Sequence, residues 1–207
     1  MERSGLEDHS PAAQASDTQA SATKGRVFVV AGASGVGKGT VLRELRSRYP
    51  ELWYSVSVTT RDPRPGEVDG VDYHFVSDAE FDCLIERDEL LEYAVVHGMH
   101  RYGTLREPVI EASTQGKIAI LELDLAGARQ VRKSLPEAEQ IFILPPSFEE
   151  LEARLVGRGT ESAQERSRRL ETAREEIAAQ DEFDYVITNS TVAQATDELI
   201  NIMHLNG

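Results

Sequence analysis

The residues Gly32, Ala33, Ser34, Gly35, Val36, Gly37, Lys38, Gly39 and Thr40 run consecutively. They place a glycine, four residues, a second glycine and a lysine directly after an apolar run. Glycines let backbone amides turn inward and form a nest for an anion. A helix starting there adds the partial positive charge of its N-terminus. Lys38 supplies a mobile cation for the outer phosphates of a nucleotide. The residue after such a lysine is usually Ser or Thr, whose hydroxyl binds magnesium. Here it is Gly39, and Thr40 follows. Either Thr40 substitutes, or water and substrate oxygens complete the metal shell, which magnesium tolerates.

A second anion site is written between Ser57 and Phe75. Arg61 and Arg64 sit three apart on a loop stiffened by Pro63 and Pro65, with Glu67 and Tyr73 after them. Guanidinium groups bind phosphate bidentately, and a tyrosine hydroxyl adds a donor. Two anion sites point to a phosphoryl donor and a phosphorylated acceptor. The competing reading is a solvated loop in which these arginines pair with neighbouring acids. Glu122 and Asp124 lie two apart at the end of an apolar run, so both share one face of a strand. Asp124 is also placed to cap the helix that would follow. His97 and His100 lie three apart with no matching carboxylate, so they do not read as a zinc site.

The elements that must position these residues alternate between strand and helix. Continuous apolar runs at 26–31, 117–123 and 140–144 have the look of strands buried on both faces. Residues 53–58 alternate as a strand does, and 185–188 form a last short strand. Helical spacing appears over 38–48, 78–87, 148–156, 163–179 and 192–203, and 59–72 reads as a long loop. Such alternation predicts an α/β fold with a parallel sheet covered on both faces. Ligands in these sheets bind beyond the carboxyl ends of the strands.

The chain has 207 residues, enough for one domain, with net charge −14. That balance excludes a general nucleic-acid or anionic-membrane binder, which needs a basic face. The single cysteine, Cys83, allows no intrachain disulfide. No apolar run approaches a membrane span. No secretory signal is visible, so the expected setting is cytoplasmic. Residues 1–23 are rich in Ser, Ala, Asp, Gln and Thr and read as a disordered extension.

The motifs together resemble the guanylate kinase family. The run from Thr59-Thr60-Arg61 through Arg64, Glu67, Gly70, Tyr73 and Phe75 matches that family's signature without a gap. Leu91-Glu92-Tyr93, Arg101-Tyr102-Gly103-Thr104, Leu121 to Asp124, Pro145-Pro146-Ser147, Gly157 to Glu161 and Arg168-Arg169-Leu170 agree in order and spacing. The resemblance covers about residues 25–203. It implies a P-loop NTPase-type parallel core flanked by helices, a small inserted GMP-binding subdomain (about 57–104) and a lid (about 157–169), all within 24–207. The implied reaction moves the γ-phosphoryl group of ATP to GMP or dGMP, with Mg2+.

In members like this chain, Arg61 and Arg64 would hold the GMP phosphate, with Tyr73 and Tyr102. Glu67 belongs to the same acceptor site. Glu92 would accept from the guanine ring N–H and exocyclic amine, with Ser57 and Thr104 as further base contacts. Glu122 and Asp124 would meet the acceptor nucleotide and the magnesium–water shell. Arg158 and Arg169 match lid arginines that reach the phosphates, and Asn189 matches a position near the ATP adenine. The family commonly has Gln where this chain has Ala126. Two other readings stay open. The Gly-Lys-Gly-Thr run also occurs in adenylate kinases, and guanylate-kinase-like modules in scaffold proteins bind peptides, typically with degenerate phosphate loops.

Overall fold

The computed structural model describes residues 24–96, 99–156 and 163–205. The expected disordered extension over 1–23 lies outside them. In chain order the first elements are β1 (Val27–Gly32), α1 (Lys38–Arg48), β2 (Trp53–Tyr54), β3 (Val58–Thr59) and β4 (His74–Phe75). Next come α2 (Asp78–Glu86), β5 (Leu90–Val96), β6 (His100–Leu105), α3 (Arg106–Thr114) and β7 (Ala119–Glu122). The chain then forms α4 (Leu125–Ser134), β8 (Glu139–Leu144), α5 (Phe148–Val156), α6 (Ala163–Ala178), β9 (Tyr185–Thr188) and α7 (Val192–Met203).

Five strands make one sheet in the order β2-β7-β1-β8-β9, and every neighbouring pair is parallel. Its central strand shows why the sheet needs helices on both faces. Val27, Val29 and Ala31 point into one core with Val109 and Ala112 of α3 and Ala128 and Val131 of α4. Phe28 and Val30 point into the other with Val41 and Leu45 of α1 and Leu199 and Met203 of α7. Period two along β1 thus assigns alternate side chains to opposite layers. The α/β architecture is the one the alternating pattern predicts.

A second sheet of four strands runs β4-β3-β6-β5. Its β5–β6 and β3–β6 pairs are antiparallel, and it packs α2 over a minor core of Val58, Phe81 and Leu90. The expected single strand over 53–58 does not form. The chain changes sheets there: the Ser55 N–H donates to the Ile120 carbonyl, and two residues later the Ser57 carbonyl accepts from the His74 N–H. Helix α3 was not among the expected elements, and α4 was expected only as the helix that Asp124 would cap; Pro108 lies in the first turn of α3. Proline is tolerated there, where backbone N–H groups have no intrahelical partner. No helix among the described residues is long and apolar enough to cross a membrane.

Phe142 of β8 is fully buried, and its ring lies 4.7 Å from that of Phe183. Phe142→Ala should cost about 3–5 kcal/mol in urea unfolding. A loss below about 1 kcal/mol would contradict this packing.

Candidate active site

The loop after β1 has the geometry of an anion nest. Gly35 and Gly37 take φ of 86° and 94°, in the left-handed region that disfavours other residues. A Cβ on Gly37 would lie 2.7 Å from Asn189 Nδ2. That amide donates to the Val36 carbonyl at 2.8 Å, and Arg154 donates to the same oxygen at 3.2 Å. Asn189 is therefore seen bracing the loop from behind. Arg154 also pairs with Glu150, as helical spacing allows.

Lys38 Nζ donates to the Leu123 carbonyl at 2.5 Å. Burial pulls its pKa down, opposed by the carboxylates of Glu122, Asp124 and Glu176. Helix α6 reaches the loop twice at one residue: Ser34 N–H donates to Glu176 Oε2, and Arg169 Nη2 donates to Ser34 Oγ, both at 3.2 Å. Burial raises the Glu176 pKa, which the Ser34 bond and Lys38 oppose. Sequence reasoning missed Glu176. Its signal is a spacing of seven from Arg169, which puts both on one helix face.

A cleft of about 430 Å³ opens from Lys38 toward the second sheet. It is lined by Ser57, Tyr73, Glu92, Tyr102, Thr104, Glu122 and Asp124, all expected from sequence, and by Ser55 and Asp72, which were not. Among its lining residues Glu92 is only 7% exposed. The β5–β6 register sets Glu92 opposite Thr104, whose hydroxyl donates to Glu92 Oε1 at 2.7 Å. No described cation pairs with this carboxylate. Burial pushes its pKa up to about 7, opposed by the Thr104 bond and reinforced by Asp124.

The arginine loop stands at the cleft's rim. Arg61 donates to Tyr102 Oη at 3.2 Å and to Glu67 at 2.9 Å, and its guanidinium lies over the Tyr73 ring at 5.3 Å. Glu67 also accepts from the Arg64 backbone N–H at 2.7 Å. The ion pair of the competing reading therefore exists, but it aligns Arg61 with a tyrosine that lines the cleft. Glu67 holds Arg61 well above its ordinary pKa. Asp124 caps α4, accepting from Gly127 N–H at 2.7 Å.

Thr40 is exposed on the first turn of α1 and does not line the cleft. It is Gly39 whose Cβ position faces Glu122 Oε1, at 3.6 Å. Arg158 and His97 lie outside the described residues. Among the described residues, no three acids, histidines or cysteines form a metal cluster.

The guanylate kinase family profile matches residues 24–205. The chain belongs to the guanylate kinase family. It is 58% identical over 177 residues to a guanylate kinase of Leifsonia xyli, covering 86% of this chain and 70% of that protein. It is 58% identical over 181 residues to one of Mycobacterium leprae, covering 87% and 86%. A solved guanylate kinase of Anaplasma phagocytophilum superposes with a TM-score of 0.69 at 32% identity, covering 89% of this chain and 87% of that one.

Glu92 binds its proton more tightly in the folded chain than in the unfolded one, because its pKa rises from 4.5 to about 7. Its contribution to stability is therefore lost as pH climbs through that window. Glu92→Gln keeps an acceptor for Thr104 and removes the charge. It should raise the melting temperature at pH 8 and change it little at pH 4. Equal shifts at both would contradict the burial of a titrating carboxylate.

Proposed function

We propose that this chain transfers the γ-phosphoryl group of ATP to GMP or dGMP, giving ADP and GDP or dGDP, with the residues of the cleft in the following roles. The observation that carries the reading is Glu92: a buried carboxylate with no cation paired to it among the described residues, lining the same cleft as the phosphate-loop lysine.

Guanine offers a ring N–H and an exocyclic amine on one edge, and the two Glu92 oxygens accept from both. Adenine lacks that pair and would leave the buried charge unmet, which costs more than the ~1–3 kcal/mol of an unpaired neutral group. Thr104 and Ser57 hydroxyls suit the remaining polar atoms of the base. Arg61 and Arg64 take the acceptor phosphate with Tyr73 and Tyr102, and Glu67 sets the Arg61 fork. Lys38 and the loop amides hold the donor phosphates, and Arg158 and Arg169 close over them. The acceptor is an ionised phosphate oxygen, so no general base is needed. Catalysis is positioning and charge neutralisation.

The oxygen donors here suit magnesium carried on ATP. Glu122 and Asp124 line the cleft with Lys38, and magnesium binds through one or two carboxylates, phosphates and water. When bound, the ion offsets phosphate charge. Thr40 would act only through water, and Asn189 would meet adenine from its bracing position behind the loop. The cytoplasm, where both nucleotides occur, is the setting this reaction suits.

Steady-state kinetics test the roles separately. Lys38→Ala should lower kcat by about a hundredfold or more. Glu92→Gln should lower kcat/KM for GMP by about ten- to a hundredfold while leaving the KM for ATP within twofold. Unchanged GMP kinetics in Glu92→Gln would overturn the assignment of base recognition.

A further inference from the structure

Strand β5 is the outer strand of the four-stranded sheet, so one row of its backbone groups has no strand beside it. Side chains of α4 take the place of that strand. Ser134 Oγ donates to the Leu91 carbonyl at 2.6 Å. Gln130 Nε2 donates to the Tyr93 carbonyl at 3.0 Å, and Tyr93 N–H donates back to Gln130 Oε1 at 3.2 Å. The Gln130 amide thus reproduces the two-way pairing of a peptide group. Residues 91 and 93 flank Glu92, and both are tied to one helix of the parallel core.

The first turn of α4 then meets the Glu92 side chain itself. A Cβ built on Gly127 would stand 3.0 Å from Glu92 Oε2 and 3.4 Å from Asp124 Oδ1. Gly127 does not take positive φ, so its backbone does not require glycine. In a helix, glycine costs about 1 kcal/mol relative to alanine. Helix propensity therefore argues against glycine here, and close approach of the carboxylate argues for it.

We propose that Gly127 and Gln130 are positioning residues for base recognition: Gln130 fixes β5 on α4, and Gly127 leaves the space in which the Glu92 carboxylate stands. The inference rests on the reading of Glu92 as the guanine acceptor. Inosine monophosphate is the probe, because it keeps the ring N–H and lacks the exocyclic amine. A carboxylate moved by a few tenths of an ångström loses the second contact before the first. The GMP-to-inosine-monophosphate ratio of kcat/KM therefore reports its placement.

The experiment measures that ratio, the KM for ATP and the melting temperature in the parent, Glu92→Gln, Gly127→Ala and Gln130→Met. The ratio should collapse in Glu92→Gln. It should fall about tenfold in Gly127→Ala and in Gln130→Met, with the KM for ATP within about twofold of the parent. A purely structural role would instead raise stability in Gly127→Ala, lower it in Gln130→Met, and scale both substrates alike. A collapsed ratio in Glu92→Gln with parental ratios in the other two would overturn the positioning role alone. A parental ratio in Glu92→Gln would overturn it together with the reading beneath it. Should Gly127→Ala fail to fold, Gln130→Met decides by the same ratio.

Discussion

A buried carboxylate with no cation paired to it among the described residues is the constraint around which the site is arranged. Taking a charged group out of water is costly, and the ordinary escape is a shifted pKa. Glu92 shows that escape, with its pKa pushed up to about 7. One hydroxyl bond from Thr104 supports it. The antiparallel β5–β6 pair exists to bring those two residues face to face, and α4 holds the pair against the core. A ligand that brings two N–H donors to this point replaces the missing solvent. On the proposed reading of Glu92, discrimination between purines follows from that same cost.

Phosphate binding by a chain of net charge −14 poses the opposite problem. The cations and the loop amide of these sites are held by internal partners. Lys38 donates to the Leu123 carbonyl, Ser34 N–H donates to Glu176, and Arg61 is shared between Glu67 and Tyr102. Binding is then an exchange of partners more than the filling of bare charges. Such exchange keeps the gain from each phosphate contact moderate, which suits a site that must release a charged product.

Much of this was legible in the residues. The phosphate loop declared itself because glycine, lysine and the flanking apolar run each have one mechanical use there. The parallel core followed from runs such as 27–31, which only a doubly covered strand explains. The strand expected over 53–58 failed because alternation cannot show that a chain leaves one sheet for another at Ser55–Ser57. Helix α4 was foreseen only through Asp124 as its cap, and nothing local marked Gly127 as a neighbour of Glu92. Glu67 was read as part of the acceptor site, and the structure shows it holding Arg61. Long-range partners such as Glu176 for Ser34, or Gln130 for Tyr93, carry no local signal, since their meaning depends on which helix lands beside which loop.

The most direct test of the account is the proton balance of GMP binding at about pH 7, the midpoint of Glu92. Titration calorimetry in buffers of different ionisation enthalpy counts protons released as GMP binds. Guanine donors favour the ionised carboxylate, so the parent chain should release more protons than Glu92→Gln, with the phosphate's own protons cancelling in the comparison. The same proton count in both would mean that Glu92 does not receive the base, and the central claim would fall.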